Sequence, residues 1–291
     1  MINFGEILSM NSIKNLSSKA LLVILDGFGI SKPSPSNAIT NANTPNIDYL
    51  FNNFPFATLE AGGQAVGLPN GIAGNSEVGH MNLGAGRPVE QDLVRINQKI
   101  NDDTLKEMPQ IKALVKNAQE TTKRIHLMGL FSDGGVHSDL EHLKYLINYF
   151  SQVPNIEIYF HAFMDGRDTP IDKGIQFIEQ MKNTPGFILA SMQGRSFGMD
   201  RDRRWEKIEL SYKTLTGFGD ITELNPTEYI SQQYSQKIFD EFITPTLFDK
   251  SYAIQNNDSI FFINFRPDRA VQLSLCFTMP AFSEFKRDIS P

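Results

Sequence analysis

Several short polar clusters in the chain carry residue types that do chemistry. Ser76 follows a glycine-rich stretch and opens Ser76-Glu-Val-Gly-His80 at an expected helix start. A helix N-terminus offers free N–H groups and positive partial charge, which stabilise phosphate on or near a serine. An ordinary N-cap Ser or Asn carries the same signature. His80 falls on the same helical face and reads first as a packing histidine, with a base as the alternative. Asp26 ends an apolar run and precedes Gly27. A carboxylate there can ligate a divalent cation, and it is also a common turn residue. Asp133-Gly-Gly-Val-His137 has the spacing of a helical metal-ligand pair, but its central glycines argue against a helix. His137 is therefore a candidate substrate contact, with a structural hydrogen bond as the alternative.

Arginines form the second group. In Asp165-Gly-Arg-Asp168, Arg167 can grip a phosphate or carboxylate with two prongs, and Asp168 can exchange a proton with a hydroxyl. A local Arg–Asp ion pair is the plain alternative. Arg195, Arg201, Arg266 and Arg269 follow two further expected strands, while Arg203 and Arg204 are expected to face solvent. A chain of net charge -6 that aims several arginines at one crevice points to a small polyanion. Separate surface salt bridges would instead contribute little.

The elements that must position these residues are legible as apolar runs. Ala20–Leu25 reads as a strand buried on both faces of a parallel sheet. Strands are also expected at Arg124–Phe131, Asn155–Phe163, Phe187–Met192 and Ser259–Phe265. Helices between them place Leu140, Leu143, Ile147 and Phe150, then Ile175, Ile178 and Met181, then Trp205, Ile208, Tyr212 and Leu215 at helical spacing. Strands alternating with amphipathic helices predict an α/β fold with a mainly parallel sheet. Ligands in such folds bind beyond the carboxyl ends of the strands, where every polar cluster that follows an expected strand falls, Asp26–Gly29 included. A boundary is expected at the Gly/Pro-rich stretch ending at Arg87-Pro88.

Composition narrows the function classes. The 291 residues are 41% hydrophobic and 21% charged, enough apolar material for a core. The acidic balance argues against a nucleic-acid binder. One cysteine, Cys276, cannot form an internal disulfide, which fits a reducing compartment. The expectation is a cytoplasmic monomer acting on a small molecule, with neither membrane nor nucleic acid as partner.

Taken together, the segments Leu25-Asp-Gly-Phe-Gly29, Asn37-Ala-Ile, Thr44-Pro-Asn-Ile-Asp48, Gly74-Asn-Ser-Glu-Val-Gly-His80 and Asn82-Leu-Gly-Ala-Gly-Arg87 resemble the 2,3-bisphosphoglycerate-independent (cofactor-independent) phosphoglycerate mutases of the alkaline phosphatase superfamily. So do Ser132-Asp-Gly-Gly-Val-His-Ser138, Asp165-Gly-Arg-Asp-Thr169, Gly194-Arg195 with Met199-Asp-Arg-Asp202, and Asn264-Phe-Arg-Pro-Asp-Arg269. The resemblance implies a discontinuous alkaline-phosphatase-like domain, here its N-terminal portion at residues 19–89. An inserted α/β transferase domain follows at 90–291, incomplete at its C-terminal end, and residues 1–18 form a loose leader. It implies an isomerase that interconverts 3-phosphoglycerate and 2-phosphoglycerate in glycolysis and gluconeogenesis through a phosphoserine. By resemblance, Ser76 is the nucleophile and Asp168 the proton exchanger. Asp26 and Ser76 are ligands of one of two Mn2+ (or similar divalent) ions. His137, Arg167, Asp168, Arg195, Arg201, Arg266 and Arg269 hold the glycerate. No 2,3-bisphosphoglycerate is required.

Departures from the family pattern shape the expectation. Val271 stands where the family often has Arg. The family's remaining metal ligands and a Lys for phosphoryl transfer lie on a later segment with no counterpart before Pro291, and none of the histidines His80, His126, His137, His142 and His161 is preceded by an Asp. The chain is therefore expected to be the N-terminal part of a mutase, inactive alone. The alternatives are a non-catalytic phosphoglycerate-binding fragment and a related phosphatase or phosphopentomutase.

Overall fold

A computed structural model describes residues 21–287 and residue 289. The expected leader, residues 1–18, lies outside the described residues. In chain order the elements are α1 (Ala38–Asn41), α2 (Pro45–Asn53), α3 (Ser76–Ala85), α4 (Asp92–Asn101), α5 (Pro109–Glu120), β1 (Arg124–Phe131), α6 (Leu140–Ser151), β2 (Glu157–Met164), α7 (Gly174–Met181), β3 (Leu189–Gly194), α8 (Arg195–Gly198), α9 (Trp205–Leu215), β4 (Asp220–Ile221), α10 (Pro226–Ser235), β5 (Thr246–Leu247), β6 (Ser259–Phe262) and α11 (Val271–Thr278).

Strand β1 is buried at every position, as a central strand covered on both faces must be. It pairs in parallel with β2 on one side and β6 on the other, and β2 pairs in parallel with β3. The sheet order is β4-β5-β3-β2-β1-β6, with the β3–β5 pair antiparallel. The α/β class and the mainly parallel sheet agree with the sequence pattern. Because side chains alternate along a strand, Ile125, Leu127 and Phe131 of β1 enter one core cluster with Ile158, Phe160 and Ala162 of β2. Leu143, Ile147 and Phe150 of α6 and Ile178 and Met181 of α7 close that side. Met128 and Leu130 face the other way, against Ile208, Tyr212 and Leu215 of α9 and Leu273 of α11. The carboxyl ends of β1, β2, β3 and β6 thus open onto one edge of the sheet.

One strand expectation fails. Leu21–Leu25 forms no strand, and Leu21 and Leu22 are 88% and 77% exposed. A strand needs a hydrogen-bonded neighbour. Every rung of the described sheet is taken by residues between 124 and 262, so this run has no ladder partner among the described residues. An apolar run predicts burial, but it does not say against what. Strand β6 also ends at Phe262, earlier than the expected Phe265, because the chain turns there into the loop that carries Arg266.

Candidate functional site

The site is built on loops that leave four parallel strands. After β1 comes Ser132–Asp139, which is a loop as its glycines require, so Asp133 and His137 do not share a helical face. His137 is buried, and its carbonyl accepts a hydrogen bond from the Phe265 N–H at 2.9 Å, tying this loop to the one after β6. After β2 comes Asp165, fully buried. Its Oδ1 accepts from the backbone N–H groups of Arg167 (3.2 Å) and Asp168 (3.0 Å), and its Oδ2 accepts from Ser132 Oγ at 2.6 Å. Asp165 therefore shapes the loop that presents Arg167 and Asp168. Sequence reading quoted it as part of a motif but missed this role.

Arg195 follows β3 directly and is buried. Its Nη1 donates to Asp165 Oδ1 and to Asp168 Oδ2, both at 2.6 Å. Asp168 keeps a partly exposed side chain above that pair. Arg201 Nη1 donates to Asp268 Oδ2 at 2.8 Å, and Arg266 Nε lies 3.1 Å from Asp268 Oδ1. Arg269 Nη1 donates to the Met199 carbonyl at 3.2 Å. Burial, and then the neighbouring guanidiniums of Arg201, Arg195 and Arg167, hold the Arg269 pKa below its ordinary value. Burial first, then Arg195 and Arg266, bring His137 down to about 4, so its ring is neutral near pH 7. Arg195, Arg201, Arg266 and Arg269 thus share one neighbourhood with His137 and Asp168. Arg167 stands at its rim, largely exposed, with Nη1 3.7 Å from Glu241 Oε1. Arg203 and Arg204 are exposed, as expected.

Ser76 is the first residue of α3. The N-cap is Asn75, whose side chain accepts from the Val78 N–H at 3.0 Å, so capping does not occupy the Ser76 hydroxyl. Ser76 Oγ donates to Asp26 Oδ2 at 2.7 Å and lies 3.2 Å from His80 Nδ1. The two residues singled out as metal ligands are therefore neighbours although 50 positions apart in sequence. Two oxygen donors do not enclose a hard divalent cation, which takes six or more ligands. No group of three or more His, Cys, Asp or Glu gathers around a common point among the described residues. By themselves these residues do not fit the pair of Mn2+ ions. Glu77, next to Ser76, reaches to 3.9 Å of Arg266 Nε.

No helix among the described residues is long and apolar enough to cross a membrane. The family model described as BPG-independent PGAM N-terminus (iPGM_N) matches residues 96–291. The chain is 44% identical over 276 residues to the 2,3-bisphosphoglycerate-independent phosphoglycerate mutase of Clostridium beijerinckii, an alignment covering 92% of this chain and 54% of that protein. It is 44% identical over 267 residues to the Mycoplasma genitalium protein of the same name, covering 89% and 52%. Among solved structures, the phosphoglycerate mutase of Leishmania mexicana, crystallised at low cobalt concentration, superimposes with a TM-score of 0.75 at 29% identity, covering 86% of this chain and 49% of that one. The chain spans about half the length of the curated relatives it matches. On the match across residues 96–291, this chain belongs to the BPG-independent phosphoglycerate mutase N-terminus family.

Proposed function

We propose that the crevice between the strand ends binds 3-phosphoglycerate and 2-phosphoglycerate, and that these residues form the substrate half of a cytoplasmic, 2,3-bisphosphoglycerate-independent phosphoglycerate mutase. The observation that supports this most is the gathering of Arg195, Arg201, Arg266 and Arg269 around His137 and Asp168 in a chain of net charge -6. A phosphoglycerate carries a carboxylate and a phosphate, and each takes a charge-assisted, two-pronged guanidinium contact. The largely exposed rim residue Arg167 would close on the ligand by leaving Glu241.

In the proposed reaction Ser76 Oγ passes its proton to Asp26 Oδ2, 2.7 Å away, and takes the phosphoryl group as the bond from phosphorus to the glycerate oxygen breaks. The departing alkoxide takes a proton from Asp168, whose partly exposed carboxyl Arg195 holds at the crevice. The glycerate turns, Asp168 takes the proton from its other hydroxyl, and that oxygen accepts the phosphoryl group back from Ser76, whose Oγ regains its proton from Asp26. Residues 19–89 would carry the nucleophile and residues 90–291 the glycerate, an arrangement supported by the contact of Glu77 with Arg266. The 291 residues alone are expected to bind ligand without turnover, because Asp26 and Ser76 do not hold a divalent cation by themselves.

Titration calorimetry with 3-phosphoglycerate tests the reading. Saturable binding, displaced by 2-phosphoglycerate and weakened by Arg266→Ala, is the expected result. No binding, or binding no tighter than that of inorganic phosphate, would overturn it. A non-catalytic phosphoglycerate binder is the second reading, favoured by the small donor set at Ser76. It predicts that Ser76 never takes up phosphate in the full-length relative context, whereas the first predicts an acid-stable phosphoserine there.

A further inference from the structure

Asp268 lies between two arginines of one loop, Arg266 and Arg269. Its Oδ2 accepts from Arg201 Nη1 at 2.8 Å. Its Oδ1 sits 3.1 Å from Arg266 Nε and 3.7 Å from His137 Nδ1. None of these last three atoms has a hydrogen-bond partner, although all three are shielded from solvent. A carboxylate oxygen, a guanidinium N–H and an imidazole nitrogen thus face one another at ionic range without the alignment of hydrogen bonds. The side chain of Asp268 itself is about one-third exposed, with 31% of its surface accessible. This is the arrangement of a charge held by its surroundings and open to exchange.

We infer that Asp268 is a resident counter-ion. In the ligand-free crevice its carboxylate holds Arg201 and Arg266 together, and an incoming anionic group takes over those two arginines. The inference rests on the reading of the crevice as an anion site. Arg201 and Arg266 come from different strand ends, and like charges brought side by side repel unless an anion lies between them. A carboxylate of the chain can do this before the ligand arrives. The same negative charge then opposes the ligand and lowers its affinity, which makes Asp268 a positioning residue that also sets how tightly an anion is held. A neutral Asn keeps the size and an acceptor for Arg201 while removing the charge. A purely structural role predicts that Asn weakens binding, because the arginines lose their organiser. The counter-ion role predicts that Asn strengthens it.

The probe is inorganic phosphate, titrated calorimetrically into the unaltered 291-residue chain and into Asp268→Asn at two ionic strengths. Asp268→Asn is expected to bind phosphate about tenfold more tightly, with a steeper loss of affinity on adding salt. Asp268→Glu, which restores the charge, is expected to return affinity to that of the unaltered chain. Equal or weaker phosphate binding by a folded Asp268→Asn overturns the inference. If Asp268→Asn does not fold, Asp268→Ser carries the same expectation and the same refutation. Failure of the substrate reading is a separate result: phosphate would bind and respond to Asp268→Asn, but 3-phosphoglycerate would bind no better than phosphate. Absence of any phosphate binding by either chain overturns both.

Discussion

Arg195 Nη1 lies 2.6 Å from Asp165 Oδ1 and 2.6 Å from Asp168 Oδ2, so one guanidinium joins a fully buried carboxylate to one that reaches the crevice. The two bonds do different work. The first neutralises a charge in the interior at the carboxyl end of β2. The second holds the candidate proton exchanger in place. Removing the arginine leaves Asp165 as an uncompensated buried charge, and breaking such a pair costs about 3 to 5 kcal/mol. Arg195→Met is expected to lose that much stability in urea unfolding. Asp168→Asn leaves the Asp165 bond intact and is expected to lose about 1 kcal/mol, the net value of an ordinary hydrogen bond. Equal losses in the two variants would show that Asp165 does not depend on Arg195.

His137 makes stability depend on pH in a definite window. Burial is the largest cause of its low pKa, followed by Arg195 and Arg266, while Asp268 and Asp168 act the other way. Above its ordinary value of 6.5 the ring is neutral whether the chain is folded or not, and there is no penalty. Between 6.5 and about 4 the unfolded chain takes up a proton that the folded chain refuses, so stability falls as pH falls. Below about 4 both states are protonated and the slope from this group ends. The total is on the order of 3 kcal/mol. Burial also lowers His126 and His161, which add to the same acid loss. The contribution of His137 is therefore read as a difference. His137→Gln is expected to flatten the fall in urea midpoint between pH 6.5 and 4 relative to the unaltered chain. An unchanged slope would mean that His137 is not held neutral.

Strands β1, β2, β3 and β6 were legible because each is a run of apolar residues long enough to be covered on both faces. Strands β4 and β5 were not, since two residues apiece leave no period to read. The run Leu21–Leu25 has the composition of the central strands and forms none, because pairing depends on a neighbour that composition does not reveal. Convergence of the arginines followed from one rule, that parallel strands end on the same edge. The roles of Asp165 and Asp268 did not follow. Both sit inside motifs that were quoted whole, and only the closed loops show which carboxylate faces inward to hold N–H groups and which faces the arginines. The buried line of Asp258, His126, His161 and Ser191, linked at 2.9, 2.9 and 2.8 Å, was invisible for the same reason, as its members come from four separate segments.

Gly129 seats the loop that carries two of the arginines. Its φ is +147°, and a Cβ there would lie 2.4 Å from Asn264 Oδ1 and 2.6 Å from Ile263 Cγ1. Asn264 Oδ1 accepts from the Leu130 N–H at 2.9 Å, which fixes the chain just before Arg266. Gly129→Ala must push that side chain away or distort β1. A loss of about 1 to 3 kcal/mol is expected, the range for an L-residue forced into such backbone geometry. Phosphate affinity should fall with it, because Arg266 and Arg269 follow Asn264. Calorimetry and urea unfolding on the same sample give both numbers. Full affinity in a destabilised variant would separate the loop's seating from the crevice.

Arg269 is the strictest test of fork against charge. Its Nη1 is committed to the Met199 carbonyl, and burial first, then the charges of Arg201, Arg195 and Arg167, press its pKa down. Such a group stays protonated only because guanidinium is so weak an acid, and it gains from any anion placed against it. Arg269→Lys keeps the positive charge but gives up both the planar fork and the bond to Met199. A lysine ammonium in the same field is easier to deprotonate than an arginine, which compounds the loss. Binding of 3-phosphoglycerate is expected to weaken by about 2 kcal/mol, in the range for charge-assisted hydrogen bonds. Lys116→Ala on α5, where the ammonium is largely exposed, removes a full charge and is expected to leave binding within error. If Arg269→Lys binds as well as the unaltered chain, the crevice attracts the ligand by net charge alone and the proposed two-pronged grip is wrong. If Lys116→Ala weakens binding as much, the calorimetry is reporting the overall field of the protein rather than this site.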